Sequence, residues 1–214
     1  FTHYQTLLNA LISTPIAHQT EHDYLLNSTK HANLPQTQKY IITGKIGNAP
    51  TYLDPNSQSQ SGSITFNNTR VDSKEGFLSI RTNNCVIKGK HVYECELLSN
   101  GLLQVGWCQL TTAFEYNEGV GDDSSSYAYD GYRNVLWHGK KKEYGKIWDK
   151  GDVIGCCLDM DKHEMSFYLN GEFLGVASDD VDVGENNAYF PACSLSKKEK
   201  CVFNFGQTPF MYVY

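Results

Sequence analysis

Trp148–Ala177 reads WDKGDVIGCCLDMDKHEMSFYLNGEFLGVA, and it contains the clearest hairpin in the chain. Val153–Asp159 is an almost unbroken apolar run and a strand candidate. In the strand Met165–Leu169, Met165, Phe167 and Leu169 fall on one face. Asn170-Gly171 then supplies the two positive φ angles of a tight type I′ turn, and Phe173–Ala177 returns. A slip of one residue would turn all three large side chains out to water, so this hairpin has one register.

Further strands are predicted on either side: Ser63–Phe66, Phe77–Arg81, His91–Leu98, Leu102–Leu110, Tyr127–Tyr129, Val135–Trp137, Tyr189–Ser194 and Cys201–Phe205. Short runs at such regular spacing, with turn signals between them, predict an all-β fold: a two-sheet antiparallel β-sandwich. Trp107, Tyr127, Tyr129, Trp137 and Trp148 are assigned to its core, which needs large inward residues. Upstream, Tyr4, Leu7, Leu8, Leu11 and Ile12 stand at helical spacing and predict a short amphipathic N-terminal helix over residues 2–13. Residues 16–60 are polar and read as linker, so the chain divides into an extension (1–60) and a domain (61–214). His18, His22 and His31 in the extension lack ligand spacing.

A net charge of −6 with scattered Lys and Arg disfavours nucleic acid and anionic membranes as partners. No apolar run approaches the ~18 residues of a membrane span. The chain opens FTHYQ, without Met or a leader pattern, as expected of a monomeric fragment of a longer, cytoplasmic protein. Its seven cysteines show no CxxC pair and are expected to be free thiols packed as small hydrophobes. The sequons at Asn27 and Asn67 are read as chance matches.

No metal or other cofactor is expected. Glu118, Asp122 and Asp123 sit in a Gly-flanked loop where turn chemistry explains them, and Asp159, Asp161 and Glu164 lack the rest of a calcium loop. Ser124–Ser126, His138 and His163 carry no nucleophile signature, which argues against an enzyme.

The strings CVIKGKHVYE, LLQVGWC, EGVGDDSSSYAYDG, YGKIW, GDVIG, FYLNG and YFPACSL occur in the order found in SPRY (B30.2-type) domains. Together with SGSITF they resemble the subgroup attached to RING-finger ubiquitin ligases, over residues 61–214. The resemblance implies a module that recruits a protein or peptide substrate (a degron), with further ligase subunits as other partners. The RING would lie elsewhere, because this chain has no Cys/His zinc array, and the chain alone is not expected to transfer ubiquitin.

SPRY resemblance places a binding pocket in the loops at one end of the sandwich. On that basis Arg81, Phe114, Glu115, Tyr116 and Asn117 form one wall and Leu195, Ser196, Lys197 and Lys198 the other, with Tyr132 and Arg133 at the border. Arg81 would meet an acidic or carbonyl group and Tyr116 would stack on the ligand. Tyr and Arg are the residue types that dominate interface energies. Two rival expectations are a lectin-like sandwich and a domain that docks only within its own chain.

Overall fold

The hairpin of Met165–Ala177 forms around Asn170 and Gly171, whose φ angles are 51° and 78°, with Leu169 opposite Glu172. Met165, Phe167 and Leu169 all point into the core. The computed structural model describes residues 50–59, 64–67, 69–115, 117–184 and 187–214. The helix expected over 2–13, the histidines of the extension and Tyr116 lie outside these residues.

Two antiparallel sheets stack face to face. Numbered in chain order, one contains β1 (Ile64–Asn67), β2 (Arg70–Ser73), β4 (Lys90–Leu97), β9 (Val153–Asp159), β10 (Glu164–Leu169), β11 (Glu172–Ser178) and β13 (Lys200–Asn204). Its strand order is β1-β2-β13-β4-β9-β10-β11. The other contains β3 (Leu78–Arg81), β5 (Leu103–Gln109), β6 (Ser126–Asp130), β7 (Val135–His138), β8 (Lys140–Glu143) and β12 (Tyr189–Leu195), in the order β3-β12-β5-β6-β7-β8. Trp107, Tyr93, Tyr129, Tyr189, Phe167 and Phe205 fill the space between. The Tyr93 ring meets Trp107 edge-on at 5.1 Å, and its hydroxyl donates to the Gly106 carbonyl of the facing sheet at 2.5 Å. Cys85 is half-buried and the other six cysteines are buried, all as free thiols.

Three expectations are corrected. Trp137 is not in the core: Leu136 takes the inward position, so alternation places Trp137 on the outer face of the six-stranded sheet. Strands β2 and β8 escape a pattern search, since β2 buries one apolar residue and β8, KKKE, buries none. Residues 50–59 are not linker. Leu53 is fully buried and bridges Thr82, and Ser59 N donates to Ser79 O at 3.0 Å, which covers the open edge of β3. Among the described residues the one helical turn is the 3₁₀ turn Pro55–Ser57.

The far edges are closed by side chains. Tyr144 Oη donates to Gly175 O at 2.7 Å and Lys142 Nζ to Ala177 O at 2.6 Å, joining the β8 side to β11. The C-terminal tail folds back across the seven-stranded sheet onto Glu94, a carboxylate only 4% exposed. Its Oε1 accepts from Met211 N (2.7 Å), Tyr212 N (3.1 Å) and Tyr214 Oη (2.8 Å), while Oε2 accepts from Asn204 Nδ2 (3.3 Å).

Candidate functional site

Between β5 and β6 the chain does not turn tightly but runs across the outer face of the six-stranded sheet. Five residues on that face are small or polar, which lets the loop lie close: Ser79, Ser194, Gly106, Ala128 and Ala192. Val120 is fully buried there against Cys108, Ala128, Phe190 and Ala192. Main-chain atoms of the loop bind directly to the sheet: Val120 N donates to Ser194 Oγ at 2.8 Å, and Ser79 Oγ donates to Glu118 O at 3.1 Å. The acidic residues serve the loop's own turns. Asp122 accepts from Gly119 N at 2.7 Å and from Gln104 Nε2 at 3.2 Å, and Asp123 accepts from Ser125 Oγ and Ser126 Oγ, both at 2.7 Å.

Arg81 anchors the start of this loop. Its Nη1 donates to the carbonyls of Gln109, Leu110 and Thr112 at 3.3–3.4 Å, and its guanidinium lies over the rings of Phe114 (5.6 Å) and Phe190 (5.4 Å). The beneficiary is the loop, and Arg81 is a clamp before it is a ligand contact. Beneath it, burial pushes the Cys108 thiol up to about 12, against the opposing pull of Arg81. A thiol held protonated in this way is no nucleophile.

On the far side of the loop lies a hollow of about 560 Å³. Phe77 and Leu102 supply apolar wall, Gln104 and Asp122 polar wall, and Arg133, Trp137, Asn117, Ser196 and Lys197 the rest. Arg133 is the cation of the hollow held in place by its neighbours, Asp130 and Trp137. The turn after β6 brings Arg133 back over β7, so that its guanidinium stacks on Trp137 at 4.6 Å from the ring centroid. Asp130, with no exposed surface, pairs with Arg133 Nε and accepts from Arg133 N at 3.0 Å and from Trp137 Nε1 at 3.4 Å. Arg133 keeps 39% of its side chain exposed, so one edge is held while the other faces solvent.

The sequence-predicted residues therefore separate. Asn117, Arg133, Ser196 and Lys197 converge on the hollow. Arg81 and Phe114 form the clamp, and Glu115 is exposed on the loop between the two. Leu195 is fully buried, paired with Leu78 and Leu103, so its side chain forms no wall. Lys198 is exposed in a turn at φ 72°, where its N–H binds Ser73 O, and Tyr132 is exposed beyond the hollow's lining. Sequence reasoning missed Phe77, Leu102, Gln104, Asp122 and Trp137. The signal for Trp137 was its place four residues after Arg133 across a Gly-initiated turn, D-G-Y-R-N-V-L-W.

A larger hollow of about 710 Å³ lies on the opposite sheet, lined by Pro50, Tyr52, Glu94, Phe203 and Met211 among others. Its buried charge, Glu94, is already satisfied by the tail. The smaller hollow presents donors still open to solvent, and for that reason it is the better candidate site.

A sequence profile described as SPRY domain matches residues 90–208. The chain is 45% identical over 143 residues to the E3 ubiquitin-protein ligase RKP of Arabidopsis thaliana, a match covering 66% of this chain and 11% of that protein. It thus spans about a tenth of the relative's length. The SPRY domain of human HERC1 superposes with a TM-score of 0.61 at 20% identity, covering 73% of this chain and 99% of that structure. This last likeness is one of fold.

Proposed function

Since the chain belongs to the SPRY domain family, we propose that it is a protein-binding module that recruits a substrate segment to a RING-type ubiquitin ligase. The observation that carries this is the Asp130–Arg133–Trp137 arrangement at the rim of the hollow. A guanidinium fixed on two sides before any ligand arrives has little entropy left to lose, which favours binding of a flexible peptide. The ligase context is supported by the 45% identity to a protein described as an E3 ligase. The domain's part in that context is recognition, and transfer of ubiquitin belongs to another region or subunit. The substrate would present an extended degron of a few residues at roughly micromolar affinity, ~−8 kcal/mol. Free, buried thiols support a reducing, cytoplasmic setting.

A peptide array probed with the chain, followed by calorimetry on the best hit, tests this reading. Lys197→Glu and Asn117→Ala change exposed residues of the hollow and leave the core intact. Both are expected to weaken the hit, and wild-type affinity in both variants would place the site elsewhere.

A further inference from the structure

The residues around the hollow point to the chemistry of what it holds. Four charged side chains belong to it: Arg133, Lys197, Asp122 and, behind Arg133, Asp130. The two carboxylates are already committed to hydrogen bonds within the domain, Asp130 behind Arg133 and Asp122 on the polar wall. Asp130 is fully buried, with its oxygens taken by Arg133 and Trp137. Asp122 is half-buried, and each of its oxygens already accepts a hydrogen bond, one from Gly119 N and one from Gln104 Nε2. The two cations are turned outward: Lys197 is exposed on one wall, and Arg133 on the other has spent only its Nε and main-chain N–H on Asp130. What remains of Arg133 is the pair of terminal amino groups, on a guanidinium held 4.6 Å over the Trp137 ring centroid. A planar fork with two parallel donors matches two oxygens on one carbon, the geometry of a carboxylate.

We propose that the hollow takes a carboxylate, held end-on by the terminal amino groups of Arg133 with Lys197 as the second cation, and with the ligand's neighbouring apolar atoms on Phe77 and Leu102. The inference rests on the peptide-binding reading above and specifies its ligand. The carboxylate can belong to an internal Asp or Glu or to a free C-terminus, and the hollow's chemistry is the same for both. Arg81, with Nη1 committed to three main-chain carbonyls, does not take this role.

The test uses synthetic twelve-residue peptides taken from the array hits, each made as free acid and as C-terminal amide, with every Asp or Glu replaced in turn by Asn or Gln. One change is expected to weaken binding on the order of tenfold or more, the loss of a charge-assisted bidentate pair. If amidation is that change, the carboxylate is C-terminal; if an Asp→Asn or Glu→Gln exchange is, it is internal. Lys197→Glu should weaken the acidic form several-fold and leave its neutral counterpart unchanged. Arg133→Lys keeps a cation beside Asp130 and removes the fork, and in it the peptide carrying the sensitive carboxylate and its neutralised counterpart should bind within about twofold of each other. Peptides that bind through the hollow and tolerate both C-terminal amidation and every Asp→Asn or Glu→Gln exchange would overturn the carboxylate and leave the peptide-binding reading standing. Absence of any binder on the array would overturn both.

Discussion

Glu94→Gln is the sharpest probe of how this chain holds itself together, because one atom changes and four hydrogen bonds depend on it. The side chain is 4% exposed, and its Oε1 gathers Met211 N, Tyr212 N and Tyr214 Oη from the tail. A Gln can keep its oxygen on those three donors but loses the charge that strengthens them, at a cost of about 0.5–1.5 kcal/mol each. Its amide nitrogen must then face Asn204 Nδ2, a donor now bonded to Oε2 at 3.3 Å, so that bond goes too. Against this, burying an amide costs less than burying a carboxylate, and roughly half the loss is recovered. The net is about 1–3 kcal/mol against docking of the tail, or a roughly 5- to 150-fold larger open population. Amide hydrogen exchange measures it directly: Met211 and Tyr212 N–H should exchange faster by that factor, while Val105, in the middle of β5, keeps its protection. Unchanged exchange at Met211, or equal loss at Met211 and Val105, would refute a tail held locally by this carboxylate.

Arg81→Met keeps the stem between Phe114 and Phe190 but deletes the donors to Gln109, Leu110 and Thr112. Protease nicking between residues 110 and 118 should speed up while global stability falls by only about 1 kcal/mol, measured by urea unfolding. Tyr93→Phe removes a single buried hydroxyl and leaves Gly106 O without that donor. Calorimetry should show a loss of about 1–2 kcal/mol, seen as a midpoint lower by roughly 2–8 °C. Tyr214's phenol is held above the ordinary tyrosine range, first by burial and then by the Glu94 carboxylate it donates to. With its folded value raised, tail docking is intact below the unfolded pKa near ~10 and weakens as pH rises through it toward the folded value. The protection factor of the Met211 amide, taken against the base-catalysed rate of an open chain at the same pH, should fall across that window, and Tyr214→Phe should flatten the fall.

The sandwich was legible wherever burial repeats with the period of a strand. Met165, Phe167 and Leu169 announce both their strand and its inner face, and Asn170-Gly171 announces the turn. Strand β8 was not legible, because KKKE exists as a strand through its pairing with β7 and buries nothing of its own. Tyr127 and Tyr129 were placed correctly in the core by alternation, whereas Trp137 was not, since its size argues for the core and only its register against Leu136 reveals the other face. The candidate site was harder still. Arg81 reaches carbonyls 28 to 31 residues away in the chain, and Asp122 meets Gln104 across 18, separations that no local pattern encodes. Arg133 carried a local cue in its turn, while Lys197 entered through family resemblance alone.

The Arg81 clamp has a consequence for engineering. Its hydrogen bonds go to main-chain oxygens of Gln109, Leu110 and Thr112, atoms that every amino acid possesses. These hydrogen bonds are blind to side chains, and the packing of Arg81 on Phe114 ties the clamp to one particular residue of the segment. Glu115 and Asn117 project outward from a segment whose path is set upstream by Arg81 and downstream by Val120 N on Ser194. With Phe114 kept as part of the clamp, the exposed positions Glu115, Asn117 and Glu118 can be randomised while the frame beneath stays the same, and a library built there would change what the domain recognises without asking it to fold anew.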